Sequence, residues 1–194
     1  MLAMTDDEVR AFIKKNDWST GLRVEYDLRT NVYYDAPESN CIELNFPQKP
    51  LELPYYARVI SHLGLDREEL FNGAVLWLTL WDIGSPQLEK TGWKLIEKMR
   101  LAFGESRPIA AAPGHSFRSD EFVELNAFLL PCFIFGWDAY LLPSGGDYFV
   151  HISHDEFWVV VTKNAGTHRQ LLEQLRELAP EQPHDRCLAR FCRK

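Results

Sequence analysis

The stretch PCFIFGWDAYLLPSGGDYFVHISHDEFWVVVTKN, residues 131–164, decides the expected fold because it combines apolar runs of strand length with glycine turn signals. Phe133 to Leu142 forms the first run, and the pair Gly145-Gly146 supplies the positive φ that a hairpin needs. Tyr148 to Ile152 alternates between two faces, whereas Phe157 to Val161 is apolar at every position and should be covered on both. We therefore predict three antiparallel strands in a meander at the centre of the main sheet.

The fold class follows from how strand and helix patterns succeed one another. Leu22 to Arg29 and Cys41 to Phe46 alternate as half-buried strands, and Ala74 to Trp81 is apolar on both faces, which favours a central strand. Because strands and helices do not alternate strictly, we predict an α+β class. We expect one domain over residues 1–183, with a largely antiparallel or mixed sheet packed by several amphipathic helices. Residues 184–194 form a short basic tail.

Capping signals, prolines and glycines mark the predicted helices. The predicted spans are Thr5–Asn16, Pro54–Gly64, Asp66–Asn72, Pro86–Phe103, Ser119–Pro131 and Thr167–Pro180. In the longest of these, Leu95, Ile96 and Phe103 belong to the apolar stripe that should be buried. Residues 105–117 have no clear period, so we expect an irregular loop there, and such loops often carry function.

Charge and composition limit the classes of partner. The chain has 194 residues and a formal net charge of −7. This balance argues against a nucleic-acid partner, because phosphate binding needs a dense basic face, and it permits a basic protein partner. No apolar run reaches the length of a membrane span, and acidic residues follow Met4 closely, so we expect neither a membrane segment nor a signal peptide. We predict a soluble cytoplasmic protein, whose oligomeric state stays open.

Motifs of the common enzyme classes are missing from the sequence. It contains no GxxxxGKS/T or GxGxxG phosphate-binding loop, no GxSxG nucleophile turn, no HExxH metal motif and no EF-hand loop. The four cysteines form no CxxC pair and no disulfide framework. We therefore expect no cofactor, and no motif indicates a known family.

Four residues form a candidate catalytic group. His151 lies on a predicted strand, His154 and Asp155 lie in the next turn, and His115 lies in the irregular segment. Imidazole titrates near neutrality and a carboxylate fixes its tautomer, so this group could transfer a proton or bind a metal ion. The structural alternative is that His151 pairs across the sheet while His154 and Asp155 merely form the turn.

Carboxylates on the first strands form a candidate partner-binding surface. Glu25 and Asp27 share one side of their strand, and Glu43 lies on the polar side of the next predicted strand. If the two strands pair, these carboxylates converge and could meet a basic partner or perform acid–base chemistry. The structural alternative is a solvated sheet face interleaved with Arg23 and Arg29.

Two other groups of residues contain potential ligands or ion pairs. The tail holds His184, Asp185, Cys187 and Cys192, but the cysteines are five residues apart, so we predict no metal site there. Asp138 lies on a predicted apolar strand and needs an arginine or histidine partner if it is buried; the alternative is an edge position where the strand bends at Gly136.

The acidic balance, the aromatic content and the missing catalytic motifs favour a non-enzymatic protein-binding domain. Small acidic proteins that neutralise a basic effector, such as bacterial immunity-type inhibitors, share this character without sharing a sequence motif. Two alternatives stay open. One is a metal-assisted, hydrolase-like enzyme that uses the histidine–aspartate group. The other is a small-ligand domain with an aromatic pocket between the meander and residues 105–117.

Overall fold

The structure, a computed structural model, describes residues 1–16, 22–25, 31–34, 40–47, 49–65, 73–81, 86–144 and 147–178. Five α-helices lie within these ranges: α1 (Asp6–Lys15), α2 (Leu53–Gly64), α3 (Pro86–Ala102), α4 (Phe122–Phe135) and α5 (Ala165–Leu178). The same ranges contain nine strands: β1 (Leu2–Met4), β2 (Leu22–Glu25), β3 (Asn31–Tyr34), β4 (Cys41–Asn45), β5 (Ala74–Leu80), β6 (Gly114–Phe117), β7 (Asp138–Pro143), β8 (Tyr148–Ser153) and β9 (Phe157–Thr162).

Seven strands form one sheet in the order β1-β6-β5-β7-β8-β9-β4. Every neighbouring pair in it is antiparallel. β7 is the middle strand, and β7, β8 and β9 are the predicted meander, with His151 opposite both Tyr140 and Val159. The α+β class with an antiparallel sheet centred on the meander is therefore confirmed. β5 also lies inside the sheet, between β6 and β7, as its two-sided apolar pattern predicts.

One face of the sheet is covered by α2 and α4, and we call it the α4 face. Leu76, His115 and Leu141 share it, because residues opposite one another in a ladder point to the same side. Gly64, at the end of α2, lies so close to β7 that a Cβ on it would be 2.7 Å from the Leu141 side chain. The missing side chain therefore lets the helix approach the sheet.

The opposite face is called the α1 face because α1 packs there. Trp77 points to this side and donates its indole N–H to Asp6 of α1 at 2.8 Å. α1 begins as the sequence predicts, since Thr5 and Glu8 form a capping box with their side chains and backbone. Tyr140 and His151 share the α1 face through their common register.

The chain around Pro131 differs from the sequence prediction. α4 continues through Pro131 to Phe135 and ends at Gly136, which adopts a left-handed φ of 62°. Phe133 to Phe135 are therefore helical, and the strand that was predicted to begin at Phe133 begins at Asp138. A proline removes one helix hydrogen bond, but Pro131 and its neighbours Cys132 and Phe133 are buried, and their burial offsets this loss.

The irregular segment 105–117 is also more regular than predicted. It contains a 3-10 turn over Ile109–Ala111 and ends in β6, which pairs with both β1 and β5. The segment is tied to α3 by Arg100, whose guanidinium donates to the carbonyls of Ala112 at 2.8 Å and Arg107 at 3.0 Å. The polar Arg100 therefore occupies the buried side of α3 together with Ile96. Leu95 and Phe103, predicted there, are each 41% exposed.

The position of β4 at the edge of the sheet differs from the pairing considered for the first strands. It pairs with β9, whereas β2 pairs with β3 in a separate two-stranded sheet. Cys41 to Leu44 are all buried, so β4 does not have the solvated face that its alternation predicts.

The start of α5 and the predicted helix at 66–72 are the remaining comparisons with the predicted helices. Asn164, rather than Thr167, caps α5, because its side-chain oxygen accepts the Thr167 backbone N–H at 2.9 Å. The predicted helix at 66–72 and the tail 184–194 lie outside the described residues. Among the described helices, none combines the length and the apolar character that a membrane span requires.

Candidate functional site

One group of titratable side chains joins the start of β7 to the turn between β8 and β9. A single carboxylate oxygen, Oδ1 of Asp138, lies 2.8 Å from Nδ1 of His154 and also accepts the His154 backbone N–H at 2.6 Å. Asp138 therefore pairs with a histidine, one of the two partner types that its burial would require. Because an ionised carboxylate can only accept, Nδ1 donates its N–H to Asp138, and Nε2 is the ring nitrogen left for another partner.

Nε2 of His154 faces a second carboxylate. It lies 3.6 Å from Oδ1 of Asp155, beyond hydrogen-bond distance. The side chains of His154 and Asp155 are 33% and 45% exposed, whereas that of Asp138 is 17% exposed. The site thus consists of an inner carboxylate that orients an imidazole and an outer carboxylate that lies beside the free ring nitrogen.

The turn that carries these residues is strained. Three residues connect the opposed pair Ser153 and Phe157, and the last of them, Glu156, has a φ of 65°. Glycine or asparagine normally occupies this left-handed position, because a Cβ there crowds the backbone. The Glu156 carbonyl accepts the N–H of Phe46 at 2.7 Å, which fixes the turn against the chain that follows β4. Strain held in place by its surroundings is common at functional sites.

His151 lies on the α1 face, on the same strand that leads into the turn. Its ring stacks on Tyr140 with centroids 4.5 Å apart and planes inclined by 11°. Burial lowers the pKa of His151 to about 4, and the nearby Asp138 opposes this shift. His151 is thus a neutral, stacked side chain of the sheet at physiological pH.

His115 does not approach the other candidate residues. It points to the α4 face from β6, whereas His151 points to the α1 face from β8. Three strand spacings separate β6 from β8, which is roughly 14 Å. The His115 ring lies 4.9 Å from that of Phe128, and its nitrogens make no hydrogen bond, although the carbonyls of Leu76 and Pro113 lie near. Burial, followed by the charge of Arg100, lowers the pKa of His115 to about 3.

The predicted acidic surface is only partly described. Glu43 is buried on β4, opposite Val159. Glu25 ends β2, whose side chains are not described, and Asp27 lies outside the described residues. Since β4 pairs with β9, pairing between the first strands does not bring Glu43 to the other two.

The described part of the chain contains no ready-made metal centre of three or more ligands. No group of three or more histidine, cysteine, aspartate or glutamate side chains within it is arranged to hold a metal ion. Burial raises the pKa of the Cys132 thiol to about 12, so it is inert as a nucleophile. A cavity of about 230 Å³ lies beside α3, lined by Glu97, Leu101 and residues 105–108. Its lining contains no aromatic side chain, and no meander residue contributes to it.

A surface that the sequence analysis missed runs along α4, and we call it the α4 stripe. It consists of Val123, Ala127, Leu130 and Ile134, spaced by four, three and four residues, so they share one side of the helix. Val123 is 76% and Ile134 51% exposed, Ala127 is exposed and Leu130 half-buried. The sequence does contain a signal for this surface, because α4 is apolar on all sides and contains one charged residue, Glu124.

The chain matches no family model, and no curated protein or solved structure is significantly similar to it. The functional argument therefore depends on the geometry of the described residues.

Two buried histidines with lowered pKa values, His115 and His151, make stability depend on pH. His115 and His151 stay neutral in the folded protein down to pH values near 3 and 4, whereas an unfolded histidine binds a proton below about pH 6.5. The unfolded state thus binds more protons in this window, and stability falls as the pH decreases. Between pH 7 and pH 5 each histidine should lower the free energy of unfolding by up to about 2 kcal/mol.

Urea unfolding of the wild type and of His115→Phe at both pH values tests this expectation. The variant should lose a large part of the pH dependence. An unchanged difference between pH 7 and pH 5 would show that His115 is not held neutral in the core.

Glycine should relieve the strain at Glu156. The left-handed conformation costs a non-glycine residue about 1–2 kcal/mol, and glycine loses about 0.5–1 kcal/mol of chain entropy relative to alanine. We expect Glu156→Gly to raise the free energy of unfolding by about 0.5–1 kcal/mol, measured by urea titration. Glu156→Ala is the matched control, since it removes the carboxylate and keeps the Cβ. Equal stabilisation by both variants would assign the effect to charge instead of backbone strain.

Proposed function

We propose that the protein is a non-enzymatic binding module that engages another protein through the α4 stripe. The observation that supports this proposal is the exposure of Val123 and Ile134 on a helix with almost no polar residues. Helices that are apolar on all sides are normally buried all round, and exposed apolar patches of this kind mark interaction sites.

The other sides of α4 are occupied by the protein itself. Phe128 contacts Phe103, just beyond the end of α3, Asn126 lies within 3.4 Å of Ser61 in α2, and Leu125 and Leu129 are fully buried. The α4 stripe faces away from these contacts, because its residues lie on the remaining side of the helix. A partner that docks on the stripe would bury the apolar side of α4 that the protein itself leaves exposed.

The size and charge of the surface suggest the chemistry of the partner. The stripe runs from Val123 to Ile134, about 16 Å along the helix, which suits one amphipathic helix of a partner. Such a patch is smaller than the interface of an obligate complex, so the contact should be reversible. Glu124 beside the stripe and the net charge of −7 favour a partner with basic residues around an apolar centre. Neutralisation of a basic effector is one function with these requirements.

The pair of Asp138 and His154 favours a second candidate function, a hydrolase-like activity with His154 as general base. An oriented imidazole with a free Nε2 is half of such a site. The other half, a nucleophile within reach of Nε2, is not found among the described side chains. The binding function is therefore the better supported of the two.

Site-specific photo-crosslinking tests the binding function in the native host. A photoreactive amino acid replaces Ala127, and the matched control replaces Leu51, which is 93% exposed on the 3-10 turn before α2. We expect a covalent adduct from position 127 and none from position 51. Adding Ile134→Glu should reduce the adduct at least tenfold, because it places a charge in the apolar contact at a cost of about 1.4 kcal/mol or more.

The outcomes separate the alternatives. An adduct with a basic amphipathic segment supports the proposal, and an adduct with a second copy of the chain replaces it by self-association. If position 127 gives no adduct, or if Ile134→Glu leaves the yield of adduct unchanged, the α4 stripe is not a binding surface.

A further inference from the structure

Nε2 of His154 has the surroundings that are typical of a metal-binding histidine nitrogen. Metal-binding histidines typically donate their second ring N–H to a carboxylate, which fixes the tautomer and raises the basicity of the ligating nitrogen. Asp138 does this for His154 at 2.8 Å, and the same oxygen holds the backbone N–H of His154 at 2.6 Å. The imidazole is therefore restrained at both its ring and its backbone.

The distance between Nε2 and Asp155 matches two ligands of one ion. Zinc binds histidine nitrogen and carboxylate oxygen at about 2.0–2.2 Å, so two tetrahedral ligands lie about 3.4 Å apart. In the structure Nε2 of His154 and Oδ1 of Asp155 are 3.6 Å apart. At this separation one ion can bind both atoms at normal bond lengths.

We propose that His154 and Asp155 bind one divalent transition-metal ion of the zinc type at the β8–β9 turn, with Asp138 as the outer carboxylate that orients His154. Both ligands are solvent-exposed enough to admit the ion. Two protein ligands leave two tetrahedral positions for water or for a side chain of a partner. This is consistent with the absence, among the described residues, of any group of three or more protein ligands. The proposed ligands are not members of the α4 stripe, so this proposal does not depend on partner binding there.

Calorimetric titration of the full chain with zinc chloride tests the proposal. Cys187→Ser and Cys192→Ser are introduced throughout, because these thiols lie outside the described residues and zinc binds thiolates. We expect one zinc ion per chain. His154→Ala should abolish binding, Asp155→Asn should weaken it at least tenfold, and Asp138→Asn should weaken it about 10- to 100-fold, as outer-shell changes do.

His62→Ala is the matched control, because His62 is a partly exposed histidine of α2 that packs on Phe122, far along the chain from the turn. It should leave zinc binding unchanged. A second readout is the NMR signal of the His154 ring, which should shift at Nε2 and keep the Nδ1 proton when zinc is added. Absence of binding up to about 1 mM zinc, or unchanged binding by His154→Ala, would overturn the proposal and leave an ordinary His–Asp pair.

Discussion

The packing of α4 between the sheet, α2 and α3 is the constraint on which the remaining structure depends. The close approach of these elements requires Gly64, where a Cβ would lie 2.7 Å from Leu141 and 3.1 Å from Leu125. It likewise requires Gly92, where a Cβ would lie 2.7 Å from Trp137 and 2.9 Å from Phe135. With three sides of α4 filled in this way, only the α4 stripe is left for an outside partner.

A second constraint acts at the other end of the meander, where one carboxylate connects two parts of the chain. Asp138 begins β7, two residues after the helix-ending Gly136, and its Oδ1 accepts from both the backbone N–H and the Nδ1–H of His154. The end of α4 and the β8–β9 turn are therefore joined through a segment of three residues. The strained backbone at Glu156 persists because this bond and the Phe46 N–H hold the turn on both sides.

Local sequence rules predicted the elements whose causes are local. The capping box at Thr5, the two-sided apolar pattern of β5 and the meander strands β8 and β9 all follow from neighbouring residues. The continuation of α4 through Pro131 could not be predicted this way, because burial against distant elements outweighs the lost hydrogen bond. Arg100 is a similar case, since its buried position depends on carbonyls of a later segment.

The candidate site was predicted in part for the same reason. Adjacent residues His154 and Asp155 and the need of Asp138 for a partner are visible in the sequence. The opposite orientation of His115 depends on strand order and register, which no local pattern specifies. The α4 stripe was missed because the predicted helix ended at Pro131, which removed Ile134 from its last turn.

The central claim is that α4, and not the β8–β9 turn, is the surface that a protein partner covers. Amide hydrogen exchange, measured on the protein alone and with the partner captured by crosslinking, tests this claim most directly. The account predicts slower exchange across residues 122–135 on binding, with residues 153–157 unchanged. Protection of residues 153–157 with no change in α4 would contradict the claim and identify the turn as the binding surface.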